Sequence, residues 1–263
     1  MQGLLEEKVA VITGAGSGVG RAASLIFARH GAKVVAADVN DAAVQETIGQ
    51  VTAEGGTGLA RTCDVGEASA VDALVAAAVE AFGRLDIMYN NAGITIIPKP
   101  GQGMRKFVDA EQEDIDRLYR VNVYGVFNGC RAAIMQFEAQ SGGGVIVNTA
   151  SVTGLIGYGS VVYGTTKGAI TTLTRSLALE LAPQGIRINS VCPAGMPTNF
   201  MPGVAASEAA LASMSASHPL GRPIAPEDCA NAALFLASDL ASNMTGVNLP
   251  VDGGLSAGIP SRR

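Results

Sequence analysis

Tyr163 and Lys167 are four residues apart in the stretch VVYGTTKGAI, and this pair could move a proton to or from a ligand. If the stretch is helical, both side chains lie on one face of the helix, a turn apart. A free phenol has a pKa near ~10, which is too high for a base at neutral pH, but a nearby ammonium favours the phenolate. We predict that Tyr163 acts as a general acid/base between an alcohol and a ketone, and that Lys167 lowers its pKa. The spacing alone is a weak signal, so the prediction depends on its surroundings.

Two further polar residues could complete such a site. Ser151 precedes Tyr163 by 12 residues and follows a predicted strand, so its hydroxyl could donate a hydrogen bond to a substrate oxygen. Asn122 lies in a predicted helix, where asparagine is disfavoured, and we predict that it holds a water that relays protons to Lys167. The alternatives are an ordinary turn serine and a buried asparagine that is satisfied by the backbone.

A glycine-rich stretch, TGAGSGVGRAA, follows the first predicted strand and opens a helix. Its spacing is Gly-x-x-x-Gly-x-Gly, a variant of the commonest dinucleotide fingerprint, and the glycines let the backbone approach a pyrophosphate at the helix N-terminus. We predict that this loop binds the cofactor through Gly14, Ser17, Gly18, Val19 and Gly20.

Asp38 ends the second predicted strand, where a carboxylate would accept hydrogen bonds from an adenosine ribose. A carboxylate there repels a 2'-phosphate, and positions 37, 39, 40 and 15–17 carry no Lys or Arg that would neutralise one. The prediction is therefore NAD(H) and not NADP(H). The alternative for Asp38 is a solvated residue at a strand end.

Composition excludes several other functions. The net charge of -5, from 18 basic and 23 acidic residues, gives no electrostatic surface for nucleic acid or an anionic membrane. The four cysteines form no Cys-x-x-Cys pair, and His30 and His218 are the only histidines, so neither a disulfide framework nor a metal site is indicated. No apolar run approaches the ~20 residues of a membrane span, and the N-terminus does not resemble a signal peptide. We expect a cytoplasmic protein.

Short Val-, Ile- and Ala-rich runs alternate with helical patterns along the whole chain. This alternation predicts an α/β protein with a doubly wound, parallel, seven-stranded Rossmann-type sheet, helices on both faces, and a single domain over 1–263. Ligands of such sheets bind at the carboxyl ends of the strands. The predicted strands are 8–13, 33–38, 58–63, 85–90, 144–150, 187–193 and 246–251.

Taken in order, these motifs resemble those of the short-chain dehydrogenase/reductase family over nearly the whole chain. Asn122, Ser151, Tyr163 and Lys167 match its catalytic tetrad, in which the lysine also binds the nicotinamide ribose. The resemblance implies further cofactor contacts at Asp64 and Val65, which would meet the adenine, and in the NNAG motif that follows the fourth strand. The other matching positions are Thr13, Gly14, Gly18, Gly20, Asn90, Ala92, Gly93, Pro193, Met196 and Thr198.

One departure from the family lies after the sixth predicted strand. The family usually has Pro-Gly there, whereas this chain has Pro193 followed by Ala194, with Gly195 displaced by one residue. This puts in question the path of the backbone at Met196, which in the family contacts the nicotinamide. The resemblance also implies a tetramer formed through helices near 112–139 and 161–183. Leu173, Leu177 and Leu181 permit this but could equally face the chain's own sheet.

The predicted substrate pocket is lined by apolar and small residues and carries no Lys or Arg cluster for a carboxylate or phosphate. We therefore expect an uncharged, hydrophobic secondary alcohol or ketone, with cyclic, terpenoid or steroid-like compounds fitting best. The segment 196–225 is the predicted substrate loop. The residues at the predicted border are 94–104, Ser151, Thr153, Leu155, Ile156, Gly157, Tyr163, Met196, Phe200 and Met201.

Two other functions remain open from the sequence. A 3-oxoacyl carrier-protein reductase would need a basic docking surface for an acidic partner, but no Lys or Arg occurs between Arg131 and Lys167, and Asp38 disfavours NADPH. A non-catalytic NAD-binding sensor or scaffold would need neither Tyr163 nor Lys167, and both are present.

Overall fold

The structure is a computed structural model that describes residues 3–97, 106–198, 200 and 207–258. Within those residues, seven parallel strands form one sheet in the order β3-β2-β1-β4-β5-β6-β7. The order reverses direction beside β1, so the predicted doubly wound Rossmann-type fold is confirmed. The strands are β1 (Val9–Thr13), β2 (Lys33–Asp38), β3 (Thr57–Thr62), β4 (Ile87–Asn90), β5 (Gly144–Thr149), β6 (Ile186–Pro193) and β7 (Asn248–Val251).

Helices cover both faces of the sheet and bury two apolar layers. Strand residues alternate between the layers, as the two-residue period of a strand requires: Val9 and Val11 face α3, α5 and α6, whereas Ala10 and Ile12 face α1, α2 and α8. The helices are α1 (Gly18–Arg29), α2 (Asp41–Ala53), α3 (Ala68–Phe82), α4 (Gln112–Tyr119), α5 (Gly125–Gln140), α6 (Val161–Leu181), α7 (Glu208–Ser217) and α8 (Pro226–Ala237).

The helix predicted over 112–139 is divided in two by a π-helical turn. This π-turn (Arg120–Tyr124) lies between α4 and α5 and contains Asn122. A π-turn inserts one extra residue into a helix and is common at functional sites. The hydrophobic spacing of the sequence did not indicate it.

The second predicted helix, 161–183, is α6 followed by a short 3-10 turn (Ala182–Gln184). Leu181 is buried in the α3, α5 and α6 layer, and Leu173 and Leu177 pack against that layer from half-buried positions. These leucines face the chain's own core, so they do not support the tetramer, which stays a prediction.

The strand ends that carry the predicted site residues all lie at the carboxyl edge of the sheet. Within the ranges that the structure describes, no helix is long and apolar enough to cross a membrane. The same residues contain no group of three or more His, Cys, Asp or Glu side chains that could hold a metal ion.

Candidate active site

The glycine-rich loop connects the end of β1 to the first turn of α1. Gly14 has a φ of +66°, and a Cβ there would lie 2.8 Å from the Cα of Ala92. A Cβ at Gly20 would overlap the carbonyl oxygen of Gly14. Ser17 is the N-cap of α1, but its side chain makes no capping hydrogen bond. The backbone amides of the first turn can therefore donate hydrogen bonds to an anion. The loop residues Gly14, Ser17, Gly18, Val19 and Gly20 therefore form a backbone cradle that fits a pyrophosphate.

The carboxylate of Asp38 lies against the tip of this loop. Its Oδ2 accepts a hydrogen bond of 2.9 Å from the amide of Gly16, and its Oδ1 accepts one of 3.0 Å from the amide of Asn40. Arg21, which follows the loop, is held by Glu46 at 2.9 Å. Within the described residues Asp38 makes no ion pair, and Arg21 also donates a hydrogen bond of 2.7 Å to the Gly16 carbonyl at the loop tip.

Asp64 and Val65, the predicted adenine contacts, follow β3. The Asp64 carboxylate accepts hydrogen bonds from the Gly66 amide at 2.9 Å and from Arg120 at 2.8 Å. Burial alone would raise the pKa of Asp64, but these two donors hold that pKa below its ordinary value. Val65 is buried, and its carbonyl accepts a hydrogen bond of 2.9 Å from Asn128. Asp64 is therefore a carboxylate at neutral pH, beside the predicted adenine position.

The NNAG motif follows β4, and its residues bond to different parts of the fold. Asn90 is buried and donates a hydrogen bond of 3.0 Å to Asn148, so its side chain braces β4 against β5 and does not line the cradle. The amide of Ala92 donates to the Thr13 hydroxyl at 3.1 Å, which ties this motif to the end of β1. The cofactor contact predicted at Asn90 stays a prediction, and a Cβ at Gly93 would lie 3.5 Å from the Nζ of Lys167 on α6.

Tyr163 and Lys167 lie a turn apart on α6, as predicted. The Nζ of Lys167 lies 5.7 Å from the centroid of the Tyr163 ring and donates a hydrogen bond of 2.8 Å to the carbonyl of Thr149. Ser151 follows Thr149 by two residues, and its hydroxyl lies 3.3 Å from the carbonyl oxygen of Pro193. A hydroxyl, a phenol and an ammonium therefore converge beyond the ends of β5 and β6.

Burial shifts the pKa values of both α6 residues. It raises the pKa of Tyr163 above its ordinary value, and a hydrogen-bond interaction with Ser151 opposes that shift. Burial lowers the pKa of Lys167 to about 8, and attraction to Cys192 opposes it. The direction for Tyr163 is the reverse of the one predicted from the neighbouring ammonium, because burial disfavours the phenolate more than the Ser151 hydrogen bond favours it. The phenol needs further positive charge nearby before it can act as a base at neutral pH.

Asn122 lies in the π-turn, fully buried. Its amide oxygen accepts a hydrogen bond of 2.8 Å from the amide of Ile94, and its amide nitrogen donates one of 2.9 Å to the carbonyl of the same residue. A third contact, of 3.3 Å, joins the nitrogen to Thr166, the neighbour of Lys167. The side chain thus fixes the segment after NNAG against α6. The water relay through Asn122 stays a prediction.

The loop after β6 accommodates Ala194 where the family usually has glycine. The amide of Ala194 donates a hydrogen bond of 3.2 Å to the carbonyl of Val251, and its φ is not in the left-handed region, so glycine is not required there. Farther along, the Thr198 amide donates to the Met196 carbonyl at 2.9 Å. A Cβ at Gly18 would lie 3.8 Å from the Thr198 methyl, so this loop reaches the first turn of α1. Thr198 therefore borders the cradle, whereas the cofactor contacts at Pro193 and Met196 stay predictions.

Phe200 packs against Tyr163. Its ring centroid lies 6.0 Å from that of Tyr163, with an interplanar angle of 64°, which is an edge-to-face contact. Thr153 lies on the other side of Ser151 and donates its amide to the Ser151 hydroxyl at 3.2 Å. The predicted contact Met201, and residues 98–104 of the predicted border, lie outside the described residues.

Sequence reasoning missed two residues that organise the site. Thr149 contributes its backbone carbonyl to Lys167, and no side-chain pattern signals a carbonyl. Asn91 donates to the carbonyl of Thr13 at 3.0 Å and accepts a contact of 3.1 Å from the Thr149 hydroxyl, so it joins β1, β4 and β5. The sequence feature that could have indicated Asn91 is its position within the NNAG motif.

The fold and the arrangement of polar groups are those of the oxidoreductases built on a Rossmann-type sheet. A family model described as enoyl-(acyl carrier protein) reductase matches residues 14–256. A 2,5-dichloro-2,5-cyclohexadiene-1,4-diol dehydrogenase (LinX) of Sphingobium indicum is 38% identical over 260 residues, which cover 98% of this chain and 100% of the relative. A cyclohexanol dehydrogenase of an Acinetobacter species is 38% identical over 257 residues, 96% of each chain.

A solved structure of a short-chain type dehydrogenase/reductase from Mycobacterium marinum superposes with a TM-score of 0.88 at 34% identity, and covers 97% of each chain. This chain belongs to the short-chain dehydrogenase/reductase family, whose fold binds nicotinamide cofactors. The resemblance noted from the motifs is therefore confirmed.

Proposed function

We propose that this protein transfers a hydride between NAD(H) and an uncharged, cyclic secondary alcohol or ketone, with Tyr163 as the general acid/base. The observation that carries the proposal is the convergence of Ser151, Tyr163 and Lys167 beside a backbone cradle that ends at Asp38. Each part alone is compatible with several functions, whereas a cradle for a dinucleotide next to an acid/base pair supports redox chemistry at a C–OH group.

The choice of NAD(H) rests on Asp38. The carboxylate is fixed by the amides of Gly16 and Asn40, so it cannot swing away to admit a phosphate without losing both hydrogen bonds. Arg21, a nearby cation, is already paired with Glu46. A 2'-phosphate would therefore meet a carboxylate that makes no ion pair among the described residues, and ribose hydroxyls would meet an acceptor.

In the oxidation direction, Tyr163 takes the proton of the alcohol while the hydride leaves the same carbon. A nicotinamide, when bound in its oxidised form, would supply the acceptor for that hydride, and its positive charge would favour the phenolate that burial otherwise disfavours. Lys167, held by Thr149, keeps an ammonium beside the phenol and has donors left for a ribose. Ser151 holds the substrate oxygen by a hydrogen bond, and the proton returns from Tyr163 in the reduction direction.

The substrate class rests on the walls of the site and on the relatives. Phe200 places an apolar edge over Tyr163, and Leu155 is a half-buried apolar neighbour of Thr153. Two relatives that match almost the whole chain are named for alcohols on six-membered carbon rings. An uncharged ring alcohol meets apolar contacts in such a site and needs no buried counter-charge.

The description of the matching family model keeps a carrier-protein reductase as the rival function. Such an enzyme docks an acidic protein and would benefit from a basic surface around the site entrance. Along the described segment from β5 to Tyr163, which contributes Ser151 and Thr153, no basic residue occurs.

The test is a panel of reactions followed at the NADH absorbance band. We expect NAD-dependent oxidation of cyclohexanol and related ring alcohols, with NADP at least ~10-fold less effective in kcat/KM. Turnover of acyl carrier-protein thioesters with NADPH, and none of ring alcohols, would establish the rival. Tight NADH binding without turnover of any alcohol would indicate a non-catalytic sensor or scaffold.

A further inference from the structure

The turn that joins β3 to α3 is clamped onto the helical segment that begins at Arg120. The Nη2 of Arg120 lies 2.8 Å from Oδ2 of Asp64 and 2.7 Å from Oε1 of Glu67. The same guanidinium lies over the backbone of Gly66, where a Cβ would be 2.8 Å from its Cζ. One arginine side chain therefore holds the whole turn from position 64 to position 67.

Two contacts further along α5 hold the same turn. The backbone at Gly125 approaches it so closely that a Cβ would lie 2.6 Å from a methyl of Val65. Asn128 donates its hydrogen bond to the Val65 carbonyl at 2.9 Å. The turn and the helical segment thus form one unit, and Arg120 is its charged contact.

Arg120 is also the first residue of the π-turn, and Asn122 is the third. Asn122 joins the π-turn to Ile94 by two hydrogen bonds and touches Thr166, which precedes Lys167 on α6. A π-turn is less favourable than regular helix and persists where its surroundings fix it. The clamp at Arg120 is such a constraint, applied two residues from Asn122.

We propose that Arg120 is a positioning residue that couples the adenine end of the cofactor site to the catalytic end, by tying the turn at Asp64 to the π-turn that carries Asn122. The inference rests on the proposed function, together with the predicted roles of Asp64 at the adenine and of Asn122 at the catalytic end. It adds that occupation of the adenine position and the placement of Asn122 depend on each other through the Arg120 side chain, which is the charged contact between the turn and the helical segment.

The ion pair alone would not make Arg120 important. The side chains of Arg120, Asp64 and Glu67 are 43%, 39% and 61% exposed, and exposed pairs contribute little to stability. What distinguishes this pair is its position between two parts of one site. The Asp64 carboxylate uses one oxygen for Gly66 and the other for Arg120, and each oxygen has a further lone pair for a ligand.

The first measurement is the binding of ADP-ribose, which has the adenine end and lacks nicotinamide, by isothermal titration calorimetry. We expect Arg120→Met to weaken binding by about fivefold and Arg120→Lys to restore most of it. Glu67→Gln, which removes only the outer partner of Arg120, is the matched control and should bind as the wild type does. Arg120→Gln replaces Arg120→Met if the methionine variant does not fold.

The second measurement is a double-mutant cycle on kcat for a ring alcohol. If Arg120 acts through Asn122, Arg120→Met should lower kcat by about tenfold in the wild type and by less than about twofold in an Asn122→Ala background. The proposal would be overturned if Arg120→Met lowered kcat by the same factor in the wild type and in the Asn122→Ala background. It would also be overturned if Arg120→Met bound ADP-ribose with unchanged affinity.

The two proposals can fail separately. A wild type that binds ADP-ribose but oxidises no alcohol contradicts the proposed function. The role proposed for Arg120 is then tested only by comparing the ADP-ribose affinities of the wild type and the Arg120 variants. A wild type that does not bind ADP-ribose contradicts both.

Discussion

The ammonium of Lys167 lies 5.7 Å from the centre of the Tyr163 ring, and its hydrogen bond to the Thr149 carbonyl anchors it to the end of β5. The lysine is 2% exposed. Burying an ammonium raises the free energy of the folded protein, and burial accordingly lowers the pKa of Lys167 to about 8. The protein thus keeps a destabilising charge next to Tyr163, which is the arrangement expected if Lys167 has the catalytic role proposed for it.

Replacing Lys167 by methionine should therefore stabilise the fold while it removes activity. In the unfolded chain a lysine keeps its proton to about pH 10, so between about pH 8 and pH 10 the unfolded state binds more protons and wild-type stability rises with pH. We expect Lys167→Met to melt about 2–4 °C higher than the wild type near pH 7, and this advantage to shrink toward pH 10. The loss of the donor to Thr149 reduces the gain. Calorimetry at both pH values checks this, with the exposed Lys8→Met as control. A variant no more stable than the wild type near pH 7 would contradict it.

The Asp38 carboxylate should control the choice between the two cofactors. Removing it in Asp38→Ala eliminates repulsion of a 2'-phosphate and an acceptor for ribose hydroxyls, so we expect the ratio of kcat/KM for NAD to that for NADP to fall by at least ~10-fold. Asp41→Ala, on the first turn of α2, removes an exposed carboxylate bonded to Thr62 and should leave the ratio unchanged. Initial rates with both cofactors measure it. An unchanged ratio in Asp38→Ala would show that residues other than Asp38 determine the choice between NAD and NADP.

The ring of Phe200 should favour cyclic substrates. Its edge-to-face contact with Tyr163 forms one wall beside the reacting oxygen. Truncation in Phe200→Ala removes contact area with a ring, so kcat/KM for cyclohexanol should fall by about tenfold while that for 2-butanol changes less than about threefold. Phe107→Ala, at a position that is 63% exposed, is the control. Equal losses for both alcohols would show that Phe200 only supports Tyr163.

The four cysteines should be inert in the native protein. All are free and buried, and burial raises the pKa of Cys63 and Cys192 to about 11 and that of Cys130 and Cys229 to about 12. Because the thiolate is the reactive form, we expect less than ~0.1 thiol per chain to react with Ellman's reagent near pH 8, and all four to react after denaturation. Rapid reaction of one thiol in the native state would contradict the burial of that residue.

The sheet and most of the strand ends follow from local pattern. Buried parallel strands are apolar on both faces, so β2 was predicted at its observed bounds of Lys33–Asp38. The positions of Gly14 and Asp38 then followed, because the cradle and the ribose acceptor are tied to strand ends. Tyr163 and Lys167 were predictable for a different reason: helical spacing puts them on one face of α6, and the motifs around them gave that spacing its meaning.

Other features depend on contacts between distant segments. The π-turn is one, because nothing in the spacing of apolar residues around Asn122 marks an extra residue in the helix. The direction of the Asn90 side chain is another: it depends on Asn148, a partner 58 residues away. The pKa of Tyr163 also needed the structure, because burial is a property of the packed protein.

The central claim is that Tyr163 moves the proton that accompanies hydride transfer. The most direct test compares the wild type and Tyr163→Phe in NADH formation from cyclohexanol, with NADH affinity measured by its fluorescence in both proteins. We expect the variant to bind NADH within about twofold of the wild type and to lose about 10³-fold in kcat. A variant that binds NADH normally and retains most of the wild-type kcat would contradict the account.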